Sequence, residues 1–134
     1  MVEVELTRII IDEKRQDQII VLKEKNGSRH FPIVIGVSEV SSIKMKLSNH
    51  QVPRPMTHDL LVSVIQGLDA KLERVVIDKL VENTFYAKLI IKDAAGKTRT
   101  IDSRPSDGIA VAVRASAPIF VDEEVMTKAS FPKP

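Results

Sequence analysis

Two short stretches, RPMTHDLL at residues 54–61 and RPSDGIAVAVR at 104–114, each set an Arg-Pro step ahead of an acid. A guanidinium beside a helix start, where backbone amides are free, suits an anionic phosphate group. Cleaving a phosphodiester asks for more: an activated water, a stabilised charge on the phosphate oxygens and a protonated leaving oxygen, commonly with carboxylate-held divalent ions. Glu39, Asp59, Asp102 and Asp107 are the acids that stand near predicted element ends, and His58 can serve as acid, base or ligand near neutral pH. The same residues also have a structural reading. Proline presets φ, Thr57 or Ser106 bonds free amides, and a first-turn carboxylate complements the positive end of the helix dipole.

The elements that must position these groups follow from periodicity. VEVEL alternates apolar and acidic residues before III, QIIVL follows a polar DEKRQD turn, and HFPIVI follows NGSR, which predicts three strands with a hairpin at Asn26-Gly27. Pro32 lacks an amide donor and pushes the third strand to an edge or a bulge. Val40, Ile43 and Leu47 then recur at helical spacing, with Ser38 placed to cap a helix over about 38–48. After the prolines of NHQVPRP, Thr57 is placed to cap a second helix whose Leu60, Leu61, Val64, Ile65 and Leu68 form one apolar face.

LERVVIDKL, TFYAKLII and KTRTID read as a second three-stranded meander. SDGIAVAVRAS alternates as a strand would, yet it opens like a helix behind Pro105, and a buried helix is the reading adopted. APIFV gives a last strand, Asp122 caps a helical turn through EEVM, and the tail from 128 is expected to fray. The predicted fold class is α+β: a mixed α/β single domain over 1–127, with two three-stranded β-meanders each followed by a helix, and an additional central helix. The two blocks rhyme, which would place Glu39 and Asp107 at matched helix starts.

Composition narrows the function classes. The 134 residues fit one domain, 43% hydrophobic and 28% charged, with 20 Lys and Arg against 18 Asp and Glu dispersed along the chain. Such dispersion allows nucleic-acid binding without indicating it, and aromatics at 4% leave few stacking platforms. Without cysteine there are no disulfides or thiolate sites, which fits a reducing cytoplasm. No apolar run approaches the roughly 20 residues that span a bilayer, and the N-terminus carries acids where a signal peptide carries bases. His30 and His50 lack zinc-ligand spacing, and GxGxxG, Walker A, GxSxG and CxxC are all absent.

FPIVIG, RPMTHDLL with VIQGL, TFYAKLII, and IDSRPSDGIAVAVR followed by APIFV resemble the bifunctional nuclease (BFN) domain, in order and spacing, from about Val2 to Val125. The resemblance implies a compact, self-associating α/β domain, with a dimer favoured, in a family named for hydrolysis of both RNA and DNA. Its signature falls on Arg54, Pro55, Thr57, His58 and Asp59, on Phe85 and Tyr86, and on Asp102, Arg104, Pro105, Ser106 and Asp107, with Glu39 matching a further acid. Gly108 stands where alanine is usual. The reading built on it is a cytoplasmic nuclease with Asp107, Asp59, His58 and Glu39 as catalytic residues and no organic cofactor. Arg54, Arg104 and Ser106 would hold phosphate, and Asp107, Asp59 and Asp102 a divalent cation, magnesium or manganese. The rival is a non-catalytic module that binds a ligand or partner, its RP-acid motifs being structural caps.

Overall fold

The computed structural model describes residues 1–11, 14, 17–49 and 51–132; most of the expected DEKRQD turn, His50 and the last two residues lie outside them. Apolar alternation produces β1 (Val2–Ile11), β2 (Gln18–Glu24) and β3 (His30–Ile35), an antiparallel meander that turns its core face, Ile20, Leu22, Phe31 and Ile33, away from water. The same pattern gives β4 (Lys71–Val81), β5 (Thr84–Lys92) and β6 (Thr98–Ser103). A two-residue turn joins β4 to β5 at Glu82-Asn83, both at positive φ.

Between the meanders lies β7 (Ile119–Val121), antiparallel to β1 and parallel to β4, so one sheet runs β3-β2-β1-β7-β4-β5-β6. Its edge strand β3 carries Pro32, where a missing amide donor costs the ladder nothing. The sheet curls strongly. Phe31 on β3 and Phe85 on β5 stack with ring centroids 5.4 Å apart, although four strands separate β3 from β5 in the sheet order.

Each meander leads into a helix, α1 (Val37–Leu47) and α3 (Pro105–Ala115), with α2 (Thr57–Gly67) between them in sequence. Helix α3 is the central one, with Ile109, Ala110, Val111 and Ala112 essentially without exposure. Small residues on the remaining faces let it be buried all round, which the alternation of Ile109, Val111 and Val113 obscures in the sequence. At Gly108 a Cβ would lie 2.9 Å from Val75 Cγ1, so the departure from alanine there is a close approach of helix to strand.

Helix α4 (Glu123–Ala129) is capped by Asp122, whose Oδ1 accepts the Glu124 amide at 3.0 Å, as expected. The tail is more docked than the sequence suggested: α4 continues through Ala129, Ser130 is buried, and Phe131 exchanges backbone hydrogen bonds with His30. A second correction concerns α2. Of the predicted apolar face, Leu60, Leu61, Val64 and Leu68 are exposed, and Ile65 alone packs on the core, beside Val62.

Candidate active site

Three helices begin alike. Each has a non-capping residue at its N-cap, Gly36, Met56 or Arg104, and an acid three residues on: Glu39, Asp59 and Asp107. Ser38, Thr57 and Ser106 were expected to cap these helices through their hydroxyls; none of the three is the N-cap residue. The acids do the work of the first turn instead, opposite the positive helix end. Asp59 Oδ2 accepts the Met56 amide at 2.9 Å. Glu39 folds back over Gly36, where a Cβ would collide with its Oε2.

Because α1 and α2 both pack on α3, these starts come together. Arg104 Nε donates to Asp107 Oδ2 at 2.8 Å, and its Nη1 lies 3.1 Å from Glu39 Oε1. The other Asp107 oxygen, Oδ1, is 2.9 Å from His58 Nε2, and His58 Nδ1 is 2.6 Å from Ser42 Oγ. A chain of contacts therefore runs Glu39–Arg104–Asp107–His58–Ser42 across all three helices. Behind it, Arg114 sits with its side chain only 5% exposed, donating to Asp59 Oδ1 at 2.7 Å and to the Ser42 and Ala110 carbonyls at 3.0 Å each.

Arg104 is the exposed member, 66% accessible in its side chain, and it stands on the wall of a groove of about 560 Å³. Glu39, Pro105 and Ser106 share that wall, Ile33 to Gly36 supply the edge of β3, and Asn83 to Phe85 close the far side. Burial pushes the Asp107 carboxyl up, but hydrogen bonds from Arg104 and His58 outweigh it and hold the group below the ordinary aspartate range. The Met56 amide and then Arg114 hold Asp59 low against the opposing effect of burial. Asp107 in turn raises the affinity of Arg104 for its proton.

Several expected roles do not match this placement. His58 is buried, with both ring nitrogens engaged, so it cannot reach a leaving oxygen in this arrangement; it fixes Asp107 instead. Asp59 faces Arg114, away from the groove wall. Asp102 is 80% exposed on β6, paired with Lys88, and Arg54 is exposed in the loop before α2, without a hydrogen bond or ion pair among the described residues. Asp107, Asp59 and Asp102 thus do not converge. No group of three acid or histidine side chains able to hold a metal forms among the described residues, so the residues present do not fit a ready-made cation site.

Ser42 and Arg114 are the members that sequence reasoning missed. Their spacing offered a signal: Glu39 and Ser42 are three apart, and Asp107, Ala110 and Arg114 recur at helical spacing, so each set shares one helix face. Phe85 and Tyr86 part company, the first half-buried, stacked on Phe31 and lining the groove, the second exposed.

Residues 20–134 match the model of the bifunctional nuclease domain. The chain belongs to that family. Among relatives of this bifunctional nuclease domain, an uncharacterized protein of Mycobacterium tuberculosis is 38% identical over 129 residues, covering 96% of this chain and 76% of that protein. Bifunctional nuclease 1 of Oryza sativa subsp. japonica is 28% identical over 109 residues, 79% of this chain and 33% of the plant protein. Bifunctional nuclease 2 of Arabidopsis thaliana is 26% identical over 107 residues, 78% and 32% respectively. The domain spans about a third of those plant proteins. None of its helices, among the described residues, is long and apolar enough to cross a membrane.

Proposed function

We propose that this domain is a phosphodiesterase acting on RNA or DNA, with the groove beside Arg104 as its substrate site. The observation that carries the reading is the placement of Arg104: exposed, aimed by two carboxylates, and on the wall of a groove of about 560 Å³. Family membership and the names of the plant relatives support it. Asp107, itself fixed by His58 and Ser42, orients the guanidinium on the phosphate. Glu39, the second partner of Arg104, takes a proton from the attacking water, and the leaving oxygen takes its proton from solvent. One guanidinium between two carboxylates leaves the wall net negative, and added magnesium or manganese would relieve the repulsion a phosphate meets there; no step is assigned to the ion.

The test is degradation of labelled single-stranded RNA and DNA by purified wild type and Arg104→Ala, each with and without added divalent ion. Loss of a preorganised contact to the transition-state charge costs about 10²–10³-fold in rate. The melting temperature should barely move, because exposed ion pairs contribute at most about 1 kcal/mol. Equal degradation by both proteins overturns the assignment.

A second reading, a self-associating module, is favoured by one observation. Leu60, Leu61, Val64 and Leu68 leave one stripe of α2 apolar and exposed, in the pattern by which two amphipathic helices pair. On this reading a second copy covers the stripe, and Val64→Glu gives a monomer by sedimentation where wild type gives a dimer.

A further inference from the structure

A second groove, of about 480 Å³, lies on the outer face of the first meander, lined among others by Thr7, Arg8, Lys23, His30, Pro32 and Phe131. Among the described residues, none that lines it is acidic. The register explains why. A bulge between Leu6 and Arg8 inserts Thr7, so Arg8, which strict alternation would send to the core side with Leu6, pairs with Val21 and joins the outer row Arg8–Val21–Pro32. Were Thr7 paired with Val21 instead of bulged, Arg8 would fall opposite the buried Ile20, and the groove would lose a cation to the core side.

The next outer row carries Lys23 beside His30. Lys23 Nζ rests on the Gly27 carbonyl at 2.6 Å and the Glu24 carbonyl at 3.2 Å, contacts that hold the ammonium without neutralising it. Glu5 faces Lys23 in the register but lies outside the groove, and no carboxylate pairs with Arg8 or Lys23 among the described residues. His30 Nδ1 is 3.3 Å from the Ser28 carbonyl. Phe131, half exposed, is fixed at the groove by its two backbone bonds to His30, of 2.9 and 2.7 Å.

Cations without acids, an apolar floor and an exposed aromatic ring are the chemistry that holds unpaired nucleotides: the charges follow the phosphates and the ring takes a base face. Pro32 lines this groove and the Arg104 groove alike, so a strand leaving one passes the β3 edge into the other. We propose that this face is a second nucleic-acid subsite, which anchors a single strand through Arg8, Lys23 and Phe131 while a distant phosphodiester lies at Arg104. The inference rests on the nuclease reading for what the anchored strand is presented to. A duplex would not fit the ring, since its bases are already stacked on one another.

Fluorescence anisotropy of a labelled oligo(dT) tests it, across a salt series, with Arg8→Glu, Phe131→Ala and Lys92→Glu. Lys92, exposed at the end of β5, makes the same charge change on the other meander. Phe131→Ala should weaken binding about tenfold, the scale of one lost base stack. Arg8→Glu should weaken it and reduce the slope of log affinity against log salt by about 0.7, one phosphate contact on a single strand. Lys92→Glu should bind as wild type does. Wild-type affinity in Arg8→Glu and Phe131→Ala, or an equal loss in Lys92→Glu, overturns the subsite. Hydrolysis of the same oligonucleotide is scored separately: intact DNA with the groove effects present overturns the nuclease reading alone, whereas cleaved DNA without them overturns the subsite alone.

Discussion

The unit β1-β2-β3-α1 and the unit β4-β5-β6-α3 flank β7 in mirrored strand order, and each ends in a helix with an acid at the third position. Even the base seven residues further on is repeated, Lys46 in α1 and Arg114 in α3. The chemistry is not shared equally. The first unit enters its helix through Gly36, which leaves room for Glu39 to fold back; the second enters through Arg104-Pro105, and its guanidinium serves the acids of both units. Lys46 stays exposed, whereas Arg114 is enclosed by α1 and α2. A near-symmetric scaffold therefore supplies two carboxylates, and one unit alone supplies what binds them.

Arg114 is where that asymmetry should break most severely. Its removal takes one of two donors from the half-buried Asp59 and leaves the Ser42 carbonyl without the guanidinium, a loss of about 1–3 kcal/mol. Arg114→Ala should lower the urea midpoint accordingly, while Lys46→Ala, at the matching position, should leave it unchanged. Next in size is the contrast between the two acids. Asp107→Ala strands the buried His58 Nε2 and should destabilise by about 1–3 kcal/mol as well as slowing turnover. Glu39→Ala loses the contact with an exposed arginine and a first-turn charge, and should slow turnover with a shift of about 1 kcal/mol. Equal destabilisation by the two would mean that the units contribute alike.

Acid titration sharpens the same contrast. The carboxyls of Asp59 and Asp107 are held below the ordinary value, so the unfolded chain takes up their protons first as pH falls. Their contribution is fully present above the ordinary aspartate pKa of about 3.9 and disappears as pH drops through the lowered native values. Urea midpoints measured from about pH 6 downward should fall in that window, and Asp107→Asn should flatten the fall.

Much of this architecture was readable because burial repeats along the chain: both meanders, the edge role of Pro32 and the helix behind Pro105 follow from period and punctuation. The site was readable only where local sequence decides geometry. Arg104 and Asp107 are three apart on one helix turn, so their pairing needs no tertiary information. Asp102, two residues before Arg104, was misjudged because a strand side chain can leave the sheet on either face, and it left on the Lys88 side. The stripe on α2 was legible as a stripe, but its covering was not, since a moment reports segregation and is silent on the neighbour. Arg114 required the packing of three helices to become visible.

The smallest effect separates the two accounts of the helix starts. If a hydroxyl at residue 57 capped α2, Thr57→Ala would cost about 1 kcal/mol. In the structure Thr57 is the first helical residue and exposed, and the Met56 amide is taken by Asp59 Oδ2 at 2.9 Å. Thr57→Ala should then stay within about 0.5 kcal/mol of wild type, the range of ordinary surface changes. Asp59→Ala should exceed it, because it removes both that cap and the Arg114 pair. A loss in Thr57→Ala as large as in Asp59→Ala would return the cap to the hydroxyl and leave the acids at the three helix starts without a common structural purpose.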